Sequence, residues 1–174
     1  AGAAGTAAVR PPFRHLAPLT ERDGGRLPGR DHDIATLLEH VLYQRAVIYT
    51  APSGTGKTSL LRAGLVPRLE ALGARPVYVA CRPDVRTLLA TAIFPDTTSI
   101  AGALTAWHHQ RQSQHFAKLV IILDQIESLL AGDAGVSGDI LAETLAFDSW
   151  PDDADVSIVL SVREDFLARL CLLY

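Results

Sequence analysis

The chain has 174 residues, of which 48% are hydrophobic and 20% are charged, and its formal net charge is −3. This balance is typical of one folded globular domain and excludes intrinsic disorder. An apolar stretch such as residues 119–123 is far too short to span a membrane, and the acidic balance gives no support for sequence-independent nucleic-acid binding.

The two ends of the chain and its cysteines indicate its domain organisation and its cellular setting. Residues 1–28 are rich in Gly, Pro and Ala without periodicity, which predicts a linker or lead-in before a folded core at residues 29–174. Because the chain lacks methionine and stops inside an apolar run, we expect it to be a piece of a longer protein. Cys81 and Cys171 are too few for a disulfide framework, so we expect two buried thiols and a reducing, cytoplasmic setting.

Apolar periodicity predicts helices and strands that alternate along the chain. The first helix follows Asp31, a candidate N-cap, and its apolar residues recur at helical spacing up to residue 42. Strands are predicted at residues 46–49, 77–81, 119–123 and 156–162, and further helices at 60–69, 85–89, 100–107, 138–146 and from Glu164. Since these strands are continuously apolar, we predict an α/β fold with a doubly wound parallel sheet covered on both faces.

A glycine-rich loop joins the first predicted strand to the next helix. Residues 51–58 read APSGTGKT, a Walker A loop in which Ala51 replaces the usual first glycine. In such a loop, backbone N–H groups face the phosphates, Lys57 reaches the β- and γ-phosphates, and the Thr58 hydroxyl binds Mg²⁺. The complete strand-loop-helix context disfavours a turn with an incidental lysine. The candidate nucleotide-binding residues are Pro52, Ser53, Gly54, Thr55, Gly56, Lys57, Thr58 and Ser59.

An acidic residue follows the third predicted strand. Asp124 ends the apolar run 119–123, which is typical of a Walker B carboxylate that holds the water shell of Mg²⁺. Many ATPases carry next a glutamate that polarises the attacking water, but here that position is Gln125, which orients water and takes no proton. Glu127 is the nearest carboxylate, and two interpretations stay open for it: a catalytic base, or a first-turn helix residue favoured by the helix dipole.

An arginine ends the fourth predicted strand. Open α/β sheets bind ligands at the carboxyl ends of their strands, so Arg163 is a candidate for contacting the γ-phosphate. The alternative is a salt bridge between Arg163 and a surface carboxylate. The candidate catalytic set is therefore Lys57, Asp124, Glu127 and Arg163.

Four stretches, in the same order along the chain, resemble the novel STAND NTPase domain, the prokaryotic relative of the ATPases in apoptotic and plant immune receptors. They are LPGR at residues 27–30, the phosphate loop followed by SLLRAGLVP at 59–67, DQIE at 124–127, and SVREDF at 161–166. The segment 62–67 is especially diagnostic, because general P-loop chemistry does not require it. The resemblance covers roughly residues 12–170.

The resemblance implies a signalling or defence switch of the ASCE class, related to AAA+ ATPases, that is active with ATP, closed with ADP, and slow in hydrolysis. It implies effector and sensor domains in the full-length protein and a nucleotide-dependent oligomer. It places Arg30 beside the adenine and ribose, makes Arg163 the sensor arginine, and sets the Walker B and fourth strands next to the phosphate-loop strand. Two departures are Ser128, where the family often has a second glutamate, and a chain end before the last core strand, the helical segment and the winged-helix domain.

Other functions compete with this interpretation. An origin-recognition-like AAA+ ATPase acting on DNA is disfavoured by the acidic balance and by the lack of a basic stripe. A small-molecule kinase needs an acceptor site and an arginine-rich lid, which Arg82, Arg86 and Arg111 do not establish. A GTPase is disfavoured because the glycine that follows such an aspartate by three positions is absent after Asp124.

Overall fold

The computed structural model describes residues 27–111, 118–131 and 155–172, together with residue 142. The strands in this part are β1 (Ala46–Ala51), β2 (Arg75–Ala80), β3 (Leu119–Asp124) and β4 (Val156–Arg163). The helices are α1 (Asp31–Tyr43), α2 (Lys57–Ser59), α3 (Val66–Ala71), α4 (Val85–Ile93), α5 (Ile100–Arg111), α6 (Glu127–Leu130) and α7 (Leu167–Cys171). A π-helical segment, Leu60–Leu65, joins α2 to α3, and a 3₁₀ turn, Glu164–Phe166, precedes α7. The helix predicted at residues 138–146 and the lead-in up to residue 26 lie outside the described residues.

The described strands form one parallel sheet in the order β1-β4-β3-β2, which confirms the predicted α/β fold. As predicted, β4 lies next to β1, and Ala51 at the end of β1 is level with Arg163. The expectation for β3 was wrong, because β3 pairs with β4 and β2 and not with β1. Strand β4 lies between β1 and β3. Its first seven residues are all buried, because a strand lies on each side of it and a helical layer on each face.

Helices pack on both faces of the sheet and bury the central strands β3 and β4, which explains why these strands are apolar without alternation. In β3, Val120 and Ile122 face the layer that contains α1 and the helical run after the phosphate loop. The alternate residues of the same strand, such as Ile121, face the layer that contains α4 and α5. All of β3 is buried, including Asp124 at its end.

The helical run after the phosphate loop packs closely on α1 because it carries a glycine. A Cβ added at Gly64 would lie 2.7 Å from Cδ1 and 2.9 Å from Cγ1 of Ile34, a fully buried side chain. Gly64 belongs to the π-helical segment, a rare geometry that often occurs at functional sites. Segment 62–67, which general phosphate-loop chemistry leaves unexplained, therefore has a packing role in this chain.

The first turn of α1 differs from the prediction that Asp31 caps it. Asp31 is the first helical residue, and the N-cap is Arg30, which makes no side-chain cap hydrogen bond. The Asp31 carboxylate instead pairs with Nη2 of Arg68 at 2.9 Å, while Nη1 of Arg68 donates to the Gly64 carbonyl at 3.0 Å. Asp31 thus links α1 to the helical run after the phosphate loop.

The two cysteines have different environments. Cys81 is buried, as expected, whereas Cys171 is exposed, so the expectation of a second buried thiol was wrong. In α7 the buried residue is Leu170, and a helix turns about 100° between neighbouring residues, which carries the next side chain away from the core.

Candidate functional site

The loop between β1 and α2 holds two residues in the left-handed backbone region. Gly54 has φ +78° and Gly56 has φ +83°, values that only glycine adopts without strain. A Cβ at either position would meet no atom within 4 Å, so the requirement for glycine is conformational and not steric. The Thr55 hydroxyl donates to the Pro52 carbonyl at 2.8 Å and closes the curl. Such a curl is the backbone conformation that turns successive N–H groups toward an anion.

Lys57 begins the helical run, and its ammonium lies over the start of the loop. Its Nζ donates to the carbonyl oxygen of Ala51 at 2.8 Å and to that of Pro52 at 3.2 Å. An ammonium has three N–H donors, so these two bonds leave one for a phosphate oxygen. The positive end of the helix dipole adds to the charge of Lys57 at the same place.

The carboxylate of Asp124 lies beside the hydroxyl of Thr58, although 66 positions separate the two residues. Its Oδ2 accepts hydrogen bonds from Thr58 Oγ1 at 2.6 Å and from the Tyr78 hydroxyl at 2.8 Å. Its Oδ1 accepts the backbone N–H of Gln125 at 2.9 Å. Asp124 is only 1% exposed, so these three donors are what makes its burial tolerable.

The chain turns sharply after β3. Gln125 is exposed and has φ +61°, a left-handed conformation that is uncommon for a residue other than glycine. This turn leads into α6 at Glu127, whose Oε2 accepts the backbone N–H of Arg163 at 3.1 Å. The contact holds the Glu127 carboxylate at the end of β4. A residue that only stabilises the first turn of α6 does not require such a contact.

Both interpretations of Arg163 find support in its surroundings. Its guanidinium makes two hydrogen bonds to Asp165, from Nε to Oδ1 at 3.0 Å and from Nη2 to Oδ2 at 2.6 Å. It also lies over the ring of Phe166, 5.4 Å from the centroid. At the same time Arg163 lines the cleft that contains Lys57. Arg163 is therefore paired with a surface carboxylate and placed beside the phosphate loop.

A cleft of about 510 Å³ lies where the phosphate loop meets the carboxyl ends of β3 and β4. Most of the predicted site residues line it together: Ser53, Gly54, Gly56, Lys57, Thr58, Ser59, Asp124, Glu127 and Arg163. Gln125 lines it as well. Thr55 is not part of this lining, and Pro52 lines a neighbouring cleft of about 380 Å³ that also includes Arg163. The sheet order thus assembles at one edge residues that are far apart in sequence.

Arg30 lines a second cleft of about 450 Å³, which runs alongside β1. Its Nε is 2.9 Å from Oδ2 of Asp33, and its Nη2 donates to the Tyr49 hydroxyl at 3.4 Å. Its Nη1 donates to the Thr55 carbonyl at 3.5 Å, so Arg30 links this second cleft to the phosphate loop. Burial raises the pKa of the Tyr49 hydroxyl, and the nearby charge of Arg30 opposes that shift.

The residues of the first cleft fit a nucleotide with Mg²⁺. The Thr58 hydroxyl and the Asp124 carboxylate are hard oxygen donors, and Mg²⁺ typically takes one or two carboxylates together with phosphates and several waters. The cleft volume lies within the range of small-molecule sites, about 300–1,000 Å³. When bound, Mg²⁺ neutralises charge on the β- and γ-phosphates.

Sequence reasoning missed two residues of this site. Tyr78 bonds to Asp124, and the signal was its position on β2, two residues before Ala80, which pairs with Asp124. Asp165 bonds to Arg163, and its spacing of two residues from the arginine was the available sign. Tyr78 lies outside the motif stretches, whereas Asp165 lies within the stretch 161–166, where the sequence does not specify which carboxylate pairs with Arg163.

The sequence matches the model of the family described as Novel STAND NTPase 1 over residues 12–173. The chain belongs to this family. Membership in the novel STAND NTPase family implies nucleotide binding and confirms the resemblance found in the sequence motifs. No curated protein sequence matches the chain at a significant level.

Two solved structures have the same fold as this novel STAND NTPase domain. The Orc1 protein of Aeropyrum pernix in complex with DNA is 27% identical in sequence to this chain, with a TM-score of 0.56. The match covers 84% of this chain and 41% of the Orc1 chain. The Walker-type ATPase of Pyrococcus abyssi is 14% identical with a TM-score of 0.54, over 85% of this chain and 48% of that chain. The domain is thus a P-loop NTPase module that spans less than half the length of either structure. Across the described residues, no helix combines the length and the apolar character needed to cross a membrane.

Proposed function

We propose that this domain binds ATP and ADP with Mg²⁺, hydrolyses ATP slowly, and acts as a nucleotide switch in a cytoplasmic, multidomain signalling or defence protein. The observation that carries the proposal is the 2.6 Å contact between Thr58 and Asp124. It joins the phosphate loop to the Walker B strand inside one cleft, with Lys57 at the mouth of the loop. A Mg²⁺-bound triphosphate needs this combination of a cation, a hydroxyl and a carboxylate.

Each part of the site has a role in binding. The curled backbone from Ser53 to Ser59 surrounds the phosphates, and Lys57 neutralises charge on the β- and γ-phosphates. Thr58 and Asp124 hold Mg²⁺ and its water shell. Arg30 lies beside the adenine and ribose, a role that comes from the family resemblance and is supported by its contact with the phosphate loop.

The residues available for hydrolysis suit their task less well than the residues available for nucleotide binding. Gln125 stands where many ATPases carry the base, and its amide accepts no proton at neutral pH. Glu127 is the carboxylate left for this task, and its contact with the backbone of Arg163 keeps it in the cleft. Arg163 is the candidate that contacts the γ-phosphate. A site of this kind distinguishes ATP from ADP more readily than it turns ATP over.

A nucleotide-binding assay on the chain tests the proposal. Lys57→Ala should abolish detectable binding of a fluorescent ATP analogue while the circular dichroism spectrum stays unchanged. Lys118→Ala is the matched control, because Lys118 is the other lysine of the chain and its Nζ donates to the Leu42 carbonyl, away from the cleft. Unchanged affinity of Lys57→Ala would refute the assignment.

Base preference is tested by competition. ATP should displace the fluorescent analogue more effectively than GTP, since the family resemblance at Arg30 favours adenine and the GTPase glycine after Asp124 is absent. Equal displacement by the two nucleotides would count against an ATP switch. Full-length protein, with its effector and sensor domains, is needed to test for a nucleotide-dependent oligomer.

The second candidate function is an origin-recognition-like ATPase that acts on DNA. The similarity to the Orc1 protein solved with DNA favours it, and the net charge of −3 opposes it. Fluorescence anisotropy with labelled duplex DNA, measured with ATP and with ADP, separates the two functions. A nucleotide-dependent DNA affinity would favour the second candidate over the signalling switch.

A further inference from the structure

Tyr78 lies outside the cleft and makes a direct hydrogen bond to its buried carboxylate. The phenol hydroxyl donates to Asp124 Oδ2 at 2.8 Å, the same oxygen that accepts the Thr58 hydroxyl at 2.6 Å. Tyr78 is not among the residues that line the cleft. Its hydroxyl therefore contacts the candidate magnesium ligand without lining the cleft.

The register of the sheet explains this reach. Tyr78 pairs with Ile122, and Ala80 pairs with Asp124, so Tyr78 and Asp124 lie on one face of neighbouring strands, two positions apart. Diagonal neighbours across two strands are about 7–8 Å apart, a distance that an aromatic side chain spans. The ring is partly buried against the core layer that contains Ile122. Its packing directs the hydroxyl toward the end of β3.

A second contact ties the same ring to the phosphate-loop side of the site. The guanidinium of Arg62 lies over the Tyr78 ring, 5.1 Å from the centroid. Arg62 follows Thr58 by four residues in the helical run, about one helical turn away. The ring thus sits between the helix that carries the hydroxyl ligand and the strand that carries the carboxylate ligand.

We propose that Tyr78 is a positioning residue for magnesium: its hydroxyl fixes the plane of the Asp124 carboxylate so that Thr58 and Asp124 face one metal ion together. This inference rests on the proposed function of the cleft. Packing on the core and stacking with Arg62 need only the ring, and phenylalanine supplies both. The hydroxyl adds one hydrogen bond to a buried carboxylate, and supporting groups of this kind typically contribute about 10- to 100-fold to metal affinity.

Tyr78→Phe tests the inference through metal dependence, without an activity assay. Binding of a fluorescent ATP analogue is titrated with Mg²⁺ and is also measured with the metal removed by EDTA. The variant should need about 10-fold more Mg²⁺ for half of the metal-dependent gain in affinity, while its affinity in EDTA equals that of the wild type. Tyr43→Phe is the matched control, because it loses the same hydroxyl at a site that is 84% exposed. It should leave both values unchanged.

The outcomes separate this inference from the proposed function. If Mg²⁺ fails to tighten nucleotide binding by the wild type, the proposed function falls, and the role of Tyr78 falls with it. If the wild type responds to Mg²⁺ and Asp124→Asn removes the response, a normal Mg²⁺ titration of Tyr78→Phe overturns the inference alone. A variant that loses affinity equally with and without Mg²⁺, together with a lower melting temperature, also overturns it, since that result indicates a structural role.

Discussion

Arg163 and Asp165 form an ion pair with two hydrogen bonds at the end of β4, at 3.0 and 2.6 Å. The pair lies at the rim of the cleft, where the side chain of Arg163 is 40% exposed and that of Asp165 is 56% exposed. A γ-phosphate and Asp165 are both anions, and the two bonds to Asp165 occupy the Nε–H and one Nη2–H of the five N–H donors of Arg163. On the proposed function, we expect Asp165 to compete with a bound γ-phosphate for Arg163.

We predict that Asp165→Asn increases the preference of the domain for ATP over ADP. Removal of the competing charge lowers the cost of turning Arg163 toward the γ-phosphate, which only ATP carries. An exposed ion pair contributes about 0–1 kcal/mol, so the ratio of the two affinities should rise by up to about fivefold. Competition titrations with ATP and ADP measure this ratio.

The control for this variant is Glu164→Gln, which removes the same charge one residue earlier and leaves the ion pair in place. It should not change the ratio of ATP affinity to ADP affinity. A lower ATP affinity in Asp165→Asn would mean that Asp165 orients Arg163 for binding, and the competition model would be wrong.

A second prediction concerns the close contact between Gly64 and Ile34. Gly64→Ala should lower the free energy of unfolding by about 1–2 kcal/mol, because overpacking a core typically costs about 1–3 kcal/mol and the better helix propensity of alanine offsets up to about 1 kcal/mol. Two Ile34 atoms would lie within 2.9 Å of the new Cβ, so the clash is the larger effect. Urea denaturation followed by circular dichroism measures the change.

The double variant identifies the cause of that loss. Ile34→Ala removes the atoms that Cβ of residue 64 would meet, at its own cost as a large-to-small core substitution. In this background, alanine at position 64 should be neutral or stabilising, and the coupling free energy should be favourable. Simple additivity of the two substitutions would show that the Ile34 contact is not what requires glycine.

The third prediction uses the contrast between the two thiols. Burial, reinforced by the negative charges of Asp124 and Glu127, raises the pKa of the Cys81 thiol to about 12. The thiolate is the reactive form, so at pH 8 Cys81 should react extremely slowly with a thiol reagent, whereas the exposed Cys171 should react freely. A colorimetric assay should count one thiol in the native chain and two in denaturant. Rapid labelling of native Cys171→Ser would contradict this expectation.

The sequence was sufficient to predict the fold class and to locate the motifs along the chain. Residues 51–58 and Asp124 stand in strand-loop-helix contexts that local pattern reveals, and the structure brings Lys57, Thr58 and Asp124 into one cleft. Apolar runs without alternation predicted strands that are covered on both faces, and β3 is buried throughout. These features depend on local spacing, which a single sequence contains.

The features that the sequence did not reveal depend on spatial order. Which strand separates β1 from β3 follows from long-range pairing, and the position of β4 between them determines how Arg163 meets the loop. The bond between Tyr78 and Asp124 depends on strand register, which local pattern does not specify. The local pattern at Asp31 predicts a cap, because the partner Arg68 lies 37 residues away along the chain.

The last prediction is that the domain hydrolyses ATP at well under about 1 per second, below the ordinary enzyme range. Gln125 cannot accept the proton of the attacking water, and the Arg163 side chain is paired with Asp165. Asp124→Ala should reduce the residual rate more than Glu127→Gln, because it removes the magnesium carboxylate, on which positioning of the phosphates depends. Phosphate release under saturating ATP and Mg²⁺ gives both rates.

The comparison between these two variants is informative because Glu127 is held in place by the backbone of the chain. Its Oε2 accepts the N–H of Arg163 at 3.1 Å, and glutamine keeps an acceptor oxygen for this bond while losing the ability to take a proton. A large loss in Glu127→Gln, exceeding that of Asp124→Ala, would therefore identify Glu127 as the general base, whose contribution is typically about 10²–10⁴-fold. In that case the domain is a competent ATPase, and slow hydrolysis no longer supports its role as a switch.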